Sequence, residues 1–389
     1  MRWAKPSGSR VKVLHIGKFY PPVRGGMETQ LQDLCRAVAP SVDVEVIVGH
    51  TQMRTAHEMD GEIRIHRMGT VATVSSASIC PAMVSAIRKT TADIVHLHAP
   101  NPTAAMCYLA SGHPGRLVIS HQSDIIRQRV LALAYEPWLR RLMNRAEAII
   151  SLSPNYIASS RELSRYRDKC HVIPHGIDPA RFETPDRQAV AEIKQRYGER
   201  FVLAVGRLVY YKGFEYLIRA IAGTGANLII IGTGPLESEL RSVTESLHLS
   251  SHVHFLGDVP DVTPYYHAAS IFALPSTARS ESFGIVQAEA MACGTPVINT
   301  QLDSGVPFVS LDGVTGITVP PADAGSLHRA IQRLLSDDEL HRRFSGAARE
   351  RVRKVFSLDQ MASWMLQLYE EVLRQSAAVG EPEFAAAHD

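Results

Sequence analysis

Two glutamates, Glu281 and Glu289, stand in the run S-E-S-F-G-I-V-Q-A-E-A-M-A-C-G-T-P-V-I that opens at Ser280. A carboxylate accepts two hydroxyl hydrogen bonds, so Glu281 suits the hydroxyls of a sugar and Glu289 the diol of a ribose. A helix starting near Phe283 would turn its unpaired N–H groups, from about Gly284 onward, towards an anion, with the positive end of the helix dipole behind them. At 1.5 Å of rise per residue the two carboxylates lie about 10 Å apart, which matches the reach from sugar to ribose in a nucleotide sugar. By itself, a pair of glutamates is also what an ordinary solvated helix carries. Arg207 and Lys212, in G-R-L-V-Y-Y-K-G, follow a strand at the edge where α/β proteins place their ligands. Two fixed cations there would neutralise a diphosphate and steady the charge that develops on a leaving phosphate.

Weaker signals have the same placement. Gly232 and Gly234 in I-I-I-G-T-G-P, and Gly257 in F-L-G-D-V, follow strands directly, where a backbone can approach a base or phosphate or simply turn. Gly25 and Gly26, in F-Y-P-P-V-R-G-G-M-E, open a helix; they could let a ligand rest on the backbone, or form a turn with its cap. The run is not G-x-G-x-x-G, which argues against a nicotinamide cofactor. His121, in V-I-S-H-Q-S-D, stands just past a strand on the same edge, one of 17 histidines.

The elements that must position these residues are legible in the periodicity. Short β-branched runs alternate with helical segments throughout, the pattern of parallel sheets wrapped by helices, so the fold class is α/β. Strands are expected at 11–17, 42–48, 63–68, 94–98, 117–120, 148–152 and 170–173, and a second series at 201–206, 227–232, 253–256, 271–274, 296–300 and 316–319. Between the series, P-H-G-I-D-P (174–179) reads as a hinge. Leu31, Leu34, Cys35 and Val38, and likewise Phe214, Leu217, Ile218 and Ile221, form helical stripes. The last helix carries Met361, Trp364, Met365, Leu368, Tyr369 and Val372 on one face and must dock somewhere. The expected division is 1–177, 178–357, a returning helix at 358–375, and a disordered tail at 376–389.

Bulk composition narrows the class. A chain of 389 residues, 45% apolar and 21% charged with a formal charge of +2, has room for two cores and no bias towards nucleic acid. Cys35, Cys80, Cys107, Cys170 and Cys293 are scattered, with no C-x-x-C pair, which disfavours disulfides and zinc and fits a reducing compartment. The chain shows no cluster of ligands at metal spacing. No signal-like or membrane-spanning run is present, so a cytoplasmic location is expected. Between Arg127 and Arg145, arginines alternate with Leu131, Leu133, Trp138, Leu139 and Leu142. That stretch is either a salt-bridged surface helix or one laid against the inner membrane surface beside a lipid-linked acceptor.

Taken together, the G-G-M-E loop, the histidine of S-H-Q-S-D, the H-G-I-D hinge, the G-R-L-x-x-x-K-G cations and the E-x7-E helix occur in one order from about Val11 to Tyr369. This chain resembles the retaining GT-B glycosyltransferases of family 4. The resemblance implies two Rossmann-like domains facing across a cleft, the second binding a nucleotide-sugar donor and the first an acceptor. It implies that Arg207 and Lys212 hold the diphosphate and Glu289 the ribose. Glu281, with the backbone of Phe283, Gly284, Ile285 and Val286, would hold sugar and phosphates, while His121 faces the reacting sugar. It also implies front-face transfer with retention and no metal. S-D-I-I-R-Q-R, S-P-N-Y-I-A-S-S and S-G-V-P-F-V are similar to bacterial mannosyltransferases that use GDP-mannose for O-antigen or exopolysaccharide. A UDP-sugar transferase of the same fold, a glycan phosphorylase, an epimerase and a non-catalytic binding subunit are the alternatives.

Overall fold

Successive side chains of a strand point to opposite faces, so a run that is apolar throughout requires cover on both sides. The computed structural model, which describes residues 9–23, 25–74, 77–124 and 129–379, meets that requirement in two compact units. The first unit is Met1–Ser151, Ser160–Gly176 and Leu358–Asp389; the second is Leu152–Ser159 and Ile177–Ser357.

In the second unit six strands run parallel: β11 (Phe201–Val205), β12 (Asn227–Ile231), β13 (Val253–Gly257), β14 (Ile271–Leu274), β15 (Val297–Thr300) and β16 (Gly316–Val319). Their order is β13-β12-β11-β14-β15-β16, the doubly wound arrangement. Alternation decides the faces. Phe201, Leu203, Ile229, Ile231, Phe272 and Leu274 enter one core, while Val202, Ala204, Leu228, Ile230, Ile271 and Ala273 enter the other. The expected stripe Phe214, Leu217, Ile218 and Ile221 lies in that second core, on the Phe214–Ile221 helix.

The first unit has β1 (Lys12–Ile16), β2 (Asp43–Gly49), β3 (Ala56–Asp60), β4 (Ile63–Met68), a small β5 (Ala72–Val74) and β6 (Ala77–Ile79) pair, β7 (Ile94–Ala99), β8 (Arg116–His121), β9 (Ala148–Ser151) and β10 (Cys170–Val172). The main sheet runs β10-β9-β8-β7-β1-β2-β4-β3, parallel except for β3. One face is covered by the Gly26–Val38 helix and by the last helix, Leu358–Val379. Met361, Met365, Leu368, Tyr369 and Val372 are buried there beside Leu31, Leu34, Cys35 and Val38.

Four expectations are revised. Strand β3 was not foreseen, because A-H-E-M-D lacks an apolar run; the Gly61-Glu62 turn, with Gly61 at φ 61°, folds it back as an edge strand. The units part after Gly176, and Leu152–Ser159 belongs with the second unit: Ser159 Oγ donates to Asp303 O at 2.8 Å, and Arg279 lies over the Tyr156 ring. Residues 376–379 continue the last helix, whereas the rest of the expected tail, 380–389, lies outside the described residues. Within the arginine-rich stretch, Arg127 lies outside the described residues. In the Arg129–Arg145 helix, Leu142 and Met143 are buried, Trp138 is exposed and Arg140 pairs with Glu136 at 2.5 Å.

The cysteines are all free thiols. Among the described residues no helix is long and apolar enough to cross a membrane.

Candidate functional site

In a doubly wound sheet the connections leave the central strands in opposite directions, which opens a crevice at their carboxyl ends. In the second unit this point lies between β11 and β14. The segment after β11 carries Arg207 and Lys212, and the segment after β14 carries Glu281. They are fastened together. Thr277 N–H donates to Tyr211 O at 2.7 Å, and Gly213, at φ 66°, passes so close that a Cβ would stand 2.1 Å from Pro275 O. Lys212 Nζ then lies 2.5 Å from Glu281 Oε2, with both side chains about nine-tenths buried, and Ser276 Oγ donates to the same oxygen at 3.2 Å. Arg207 is exposed. Burial first and Glu281 second push the Tyr211 phenol above its ordinary value, while Lys212 and Arg207 pull it down, so the four groups share one electrostatic neighbourhood.

The helix expected from Phe283 starts later, at Val286, and ends at Ala292. Gly284 sits at φ 72°, where a Cβ would stand 2.5 Å from Leu274 Cδ2, and this left-handed residue breaks the run. The Phe283 ring is buried against Phe356, so only its backbone can meet a ligand. Buried amides pin the segment. Asn299 Nδ2 donates to Gln287 Oε1 at 2.9 Å and to Val306 O at 3.0 Å, and Gly305 N–H donates to Ser282 O at 2.7 Å. Gln287 N–H is used on Gly284 O, whereas the amides of Gly284, Ile285 and Val286 have no backbone partner among the described residues. Glu289, in the first turn, accepts a hydrogen bond from Tyr266 Oη at 2.8 Å. Burial pushes its carboxyl up, and Tyr266 and then Arg181 pull it back.

The fold itself accounts for several of the glycines. Cβ atoms at Gly232 and Gly234 would strike the backbones of Gly206 and Leu208 at 2.2 and 2.4 Å, and Gly257 is at φ 68° with its carbonyl taken by Gly232 N–H. Gly26 is different: a Cβ there meets nothing within 4 Å, and Gly25 has extended backbone at φ 171°. Packing places no demand for glycine at Gly26.

In the first unit, His121 ends β8, buried, with Nε2 2.8 Å from Glu162 Oε2 and 3.7 Å from Asp124 Oδ1. Folding also brings together side chains that sequence spacing keeps apart. It gathers His121, Asp124 and Glu162, and separately His15, His96 and His98, whose register on β1 and β7 puts them on one face. The second trio is engaged internally. His15 Nδ1 lies 3.1 Å from His98 Nε2, and His96 bonds Tyr369 Oη at 2.7 Å and Ser120 Oγ at 2.8 Å. Sequence reasoning missed Ser276, Tyr211, Tyr266 and Glu162. Tyr211 alone had a signal, its place inside the G-R-L-V-Y-Y-K-G run.

A family model described as Glycosyltransferase Family 4 matches residues 24–181, and one described as Glycosyl transferases group 1 matches 186–351. O-antigen chain mannosyltransferase C of Escherichia coli is 30% identical over 376 residues, covering 94% of this chain and 100% of that one. D-rhamnosyltransferase WbpZ of Pseudomonas aeruginosa is 31% identical, covering 89% and 92%. A GDP-mannose-dependent phosphatidylinositol monomannoside mannosyltransferase of Mycolicibacterium smegmatis is 29% identical, covering 84% and 89%. Among solved structures, sucrose-phosphate synthase from Thermosynechococcus elongatus superposes with a TM-score of 0.79 at 25% identity, covering 94% and 100%.

Proposed function

The chain belongs to glycosyltransferase family 4 and has the GT-B fold, and from that premise we propose that it is a retaining mannosyltransferase that takes mannose from GDP-mannose. The acceptor in this reading is a lipid-linked or oligosaccharide glycan of cell-surface polysaccharide synthesis, met at the inner membrane surface without insertion. Support for mannose and GDP comes from what the relatives from E. coli and M. smegmatis are named for. The name of the P. aeruginosa relative makes a D-rhamnosyl donor the second reading.

The observation that carries the proposal is the Lys212–Glu281 pair at the switch point, with Arg207 beside it. An ammonium has three donors; one serves Glu281 and two are left for phosphate oxygens. Arg207 and Lys212 hold the diphosphate, together with the amides of Gly284, Ile285 and Val286. Glu281 accepts from the sugar and Glu289 from the ribose. The acceptor oxygen bonds to the anomeric carbon on the face from which the phosphate departs, the carbon–oxygen bond to the β-phosphate breaks, and the acceptor proton passes to the departing phosphate oxygen, releasing GDP. Two cations, Lys212 held by Glu281 and the exposed Arg207, lower the cost of that charge as it develops, so the scheme calls for no metal. In the first unit, His121, held by Glu162, is the residue assigned to the sugar, and the open backbone at Gly26 leaves room for a close ligand.

A thermal-shift panel of GDP, UDP and ADP sugars tests the donor. A ligand at a hundred times its Kd adds about 2.7 kcal/mol, a shift of several degrees. Stabilisation by GDP-mannose, with a hexose mass added to a cell-envelope lipid extract, is the expected outcome. Stabilisation by UDP sugars alone overturns it.

A further inference from the structure

Tyr266 is buried in the Thr263–Ala268 helix, with its ring packed against Phe182 and Phe272 at centroid distances of 6.5 and 5.7 Å. Its carbonyl accepts Thr295 Oγ1 at 2.6 Å, so both ends of the residue are tied down. A buried phenol needs an acceptor, and most take a backbone carbonyl or another settled group. This one donates at 2.8 Å to Oε2 of Glu289, a carboxylate on the first turn of the Val286–Ala292 helix that keeps partial access to solvent. Oε1 has no hydrogen-bond partner among the described residues, although the charge of Arg181 reaches the carboxyl. A glutamate has three side-chain torsions, and left unanchored it must freeze them when a ligand arrives. Anchored through one oxygen, it presents the other in a set direction before binding.

We infer that Tyr266 is a positioning residue for nucleotide recognition: it holds Oε2 of Glu289 so that the carboxylate is already aimed at the vicinal hydroxyls of the donor's ribose. The inference rests on the proposed assignment of Glu289 to the ribose. The phenol acts through Glu289 and does not itself touch the nucleotide. Burial opposes the charged form of Glu289, and a hydrogen bond donated by Tyr266 favours it, so the same contact also preserves the acceptor character that two hydroxyls require.

The test compares GDP with 2′,3′-dideoxy-GDP on wild type, Tyr266→Phe and Glu289→Gln, alongside steady-state kinetics with the donor. In Tyr266→Phe, GDP should bind about tenfold more weakly while dideoxy-GDP is unaffected, and KM for the donor should rise by the same factor with kcat within about twofold. Glu289→Gln should lose the preference for the diol altogether. The ratio of two affinities on one preparation does not depend on how much of the variant is folded, and phenylalanine retains the ring packing. An unchanged GDP to dideoxy-GDP ratio in Tyr266→Phe, with that ratio lost in Glu289→Gln, overturns the inference alone. A ratio preserved in Glu289→Gln removes Glu289 from the ribose and with it the reading beneath.

Discussion

Lys212 and Glu281 are each other's counter-charge, which changes what a substitution at either one reports. On sequence alone both look like cleft residues whose alanine variants would keep the fold; in the structure their side chains are only 11 and 10% exposed. Removing one partner strands the other charge, a loss of about 3 kcal/mol or more. Lys212→Ala and Glu281→Ala should therefore each unfold at lower urea and also lose about 100-fold or more in kcat. Lys212→Met combined with Glu281→Leu should recover most of the stability and none of the turnover. Turnover near wild type in either single variant would remove the pair from the chemistry. A second expectation at this scale concerns the metal: EDTA should leave transfer unchanged, and a loss restored by a divalent cation would point to the His121, Asp124 and Glu162 cluster. Residue types and spacing drew attention to Arg207, Lys212 and both glutamates because each stands in a short run, and the structure pairs Lys212 with Glu281 and Glu289 with Tyr266. Glu162 and Tyr266 could not be found that way, since each is 23 or more positions from its partner and only the sheet brings them into contact.

Elements decide which groups are shielded from water together. His15 and His96, buried on adjacent strands, and the half-buried His98, two residues on, and His175, after β10, form a group in the first unit. Burial is the main cause holding His15 and His96 well below the usual imidazole range, His98 at about 3 and His175 at about 4. The unfolded chain protonates these rings near pH 6.5 while the folded chain keeps them neutral, so their contribution is complete above that pH. It falls as pH drops towards 4 and then 3, by about 1.4 kcal/mol per pH unit for each histidine still neutral in the fold. Urea titrations from pH 7.5 down to 5 should show this slope, and His98→Gln should reduce it by about one proton. An unchanged slope in that variant would show that His98 already carries its proton when folded. Strand positions followed closely from apolar runs, as in β14, because a strand covered on both faces leaves an uninterrupted apolar signature. The helix start at Val286 did not follow, because a left-handed Gly284 is set by the neighbouring Leu274 and Gln287.

For the whole molecule, the chain order matters most at its end. The last helix buries Met361, Ala362, Met365, Leu368, Tyr369 and Val372 in the first unit's core. At about 1.5 to 3 kcal/mol for each large apolar side chain, that contribution is comparable with the entire stability of a domain. A chain ending at Ser357 should therefore lose the cooperative unfolding of the first unit while the second keeps its own transition. Retention of both transitions in calorimetry would show that the helix is dispensable.

By itself the sequence determined the alternation of strands and helices, the two series and the apolar face of the closing helix, because each is a local pattern of residue type and period. Tertiary structure alone decided that Leu152–Ser159 joins the second unit, that Lys212 meets Glu281 across the β11–β14 switch point, that Tyr266 holds Glu289 and that Glu162 holds His121. Those contacts depend on which strands neighbour one another in the sheet, and strand order is set by the packing of whole elements, which no short stretch of chain encodes.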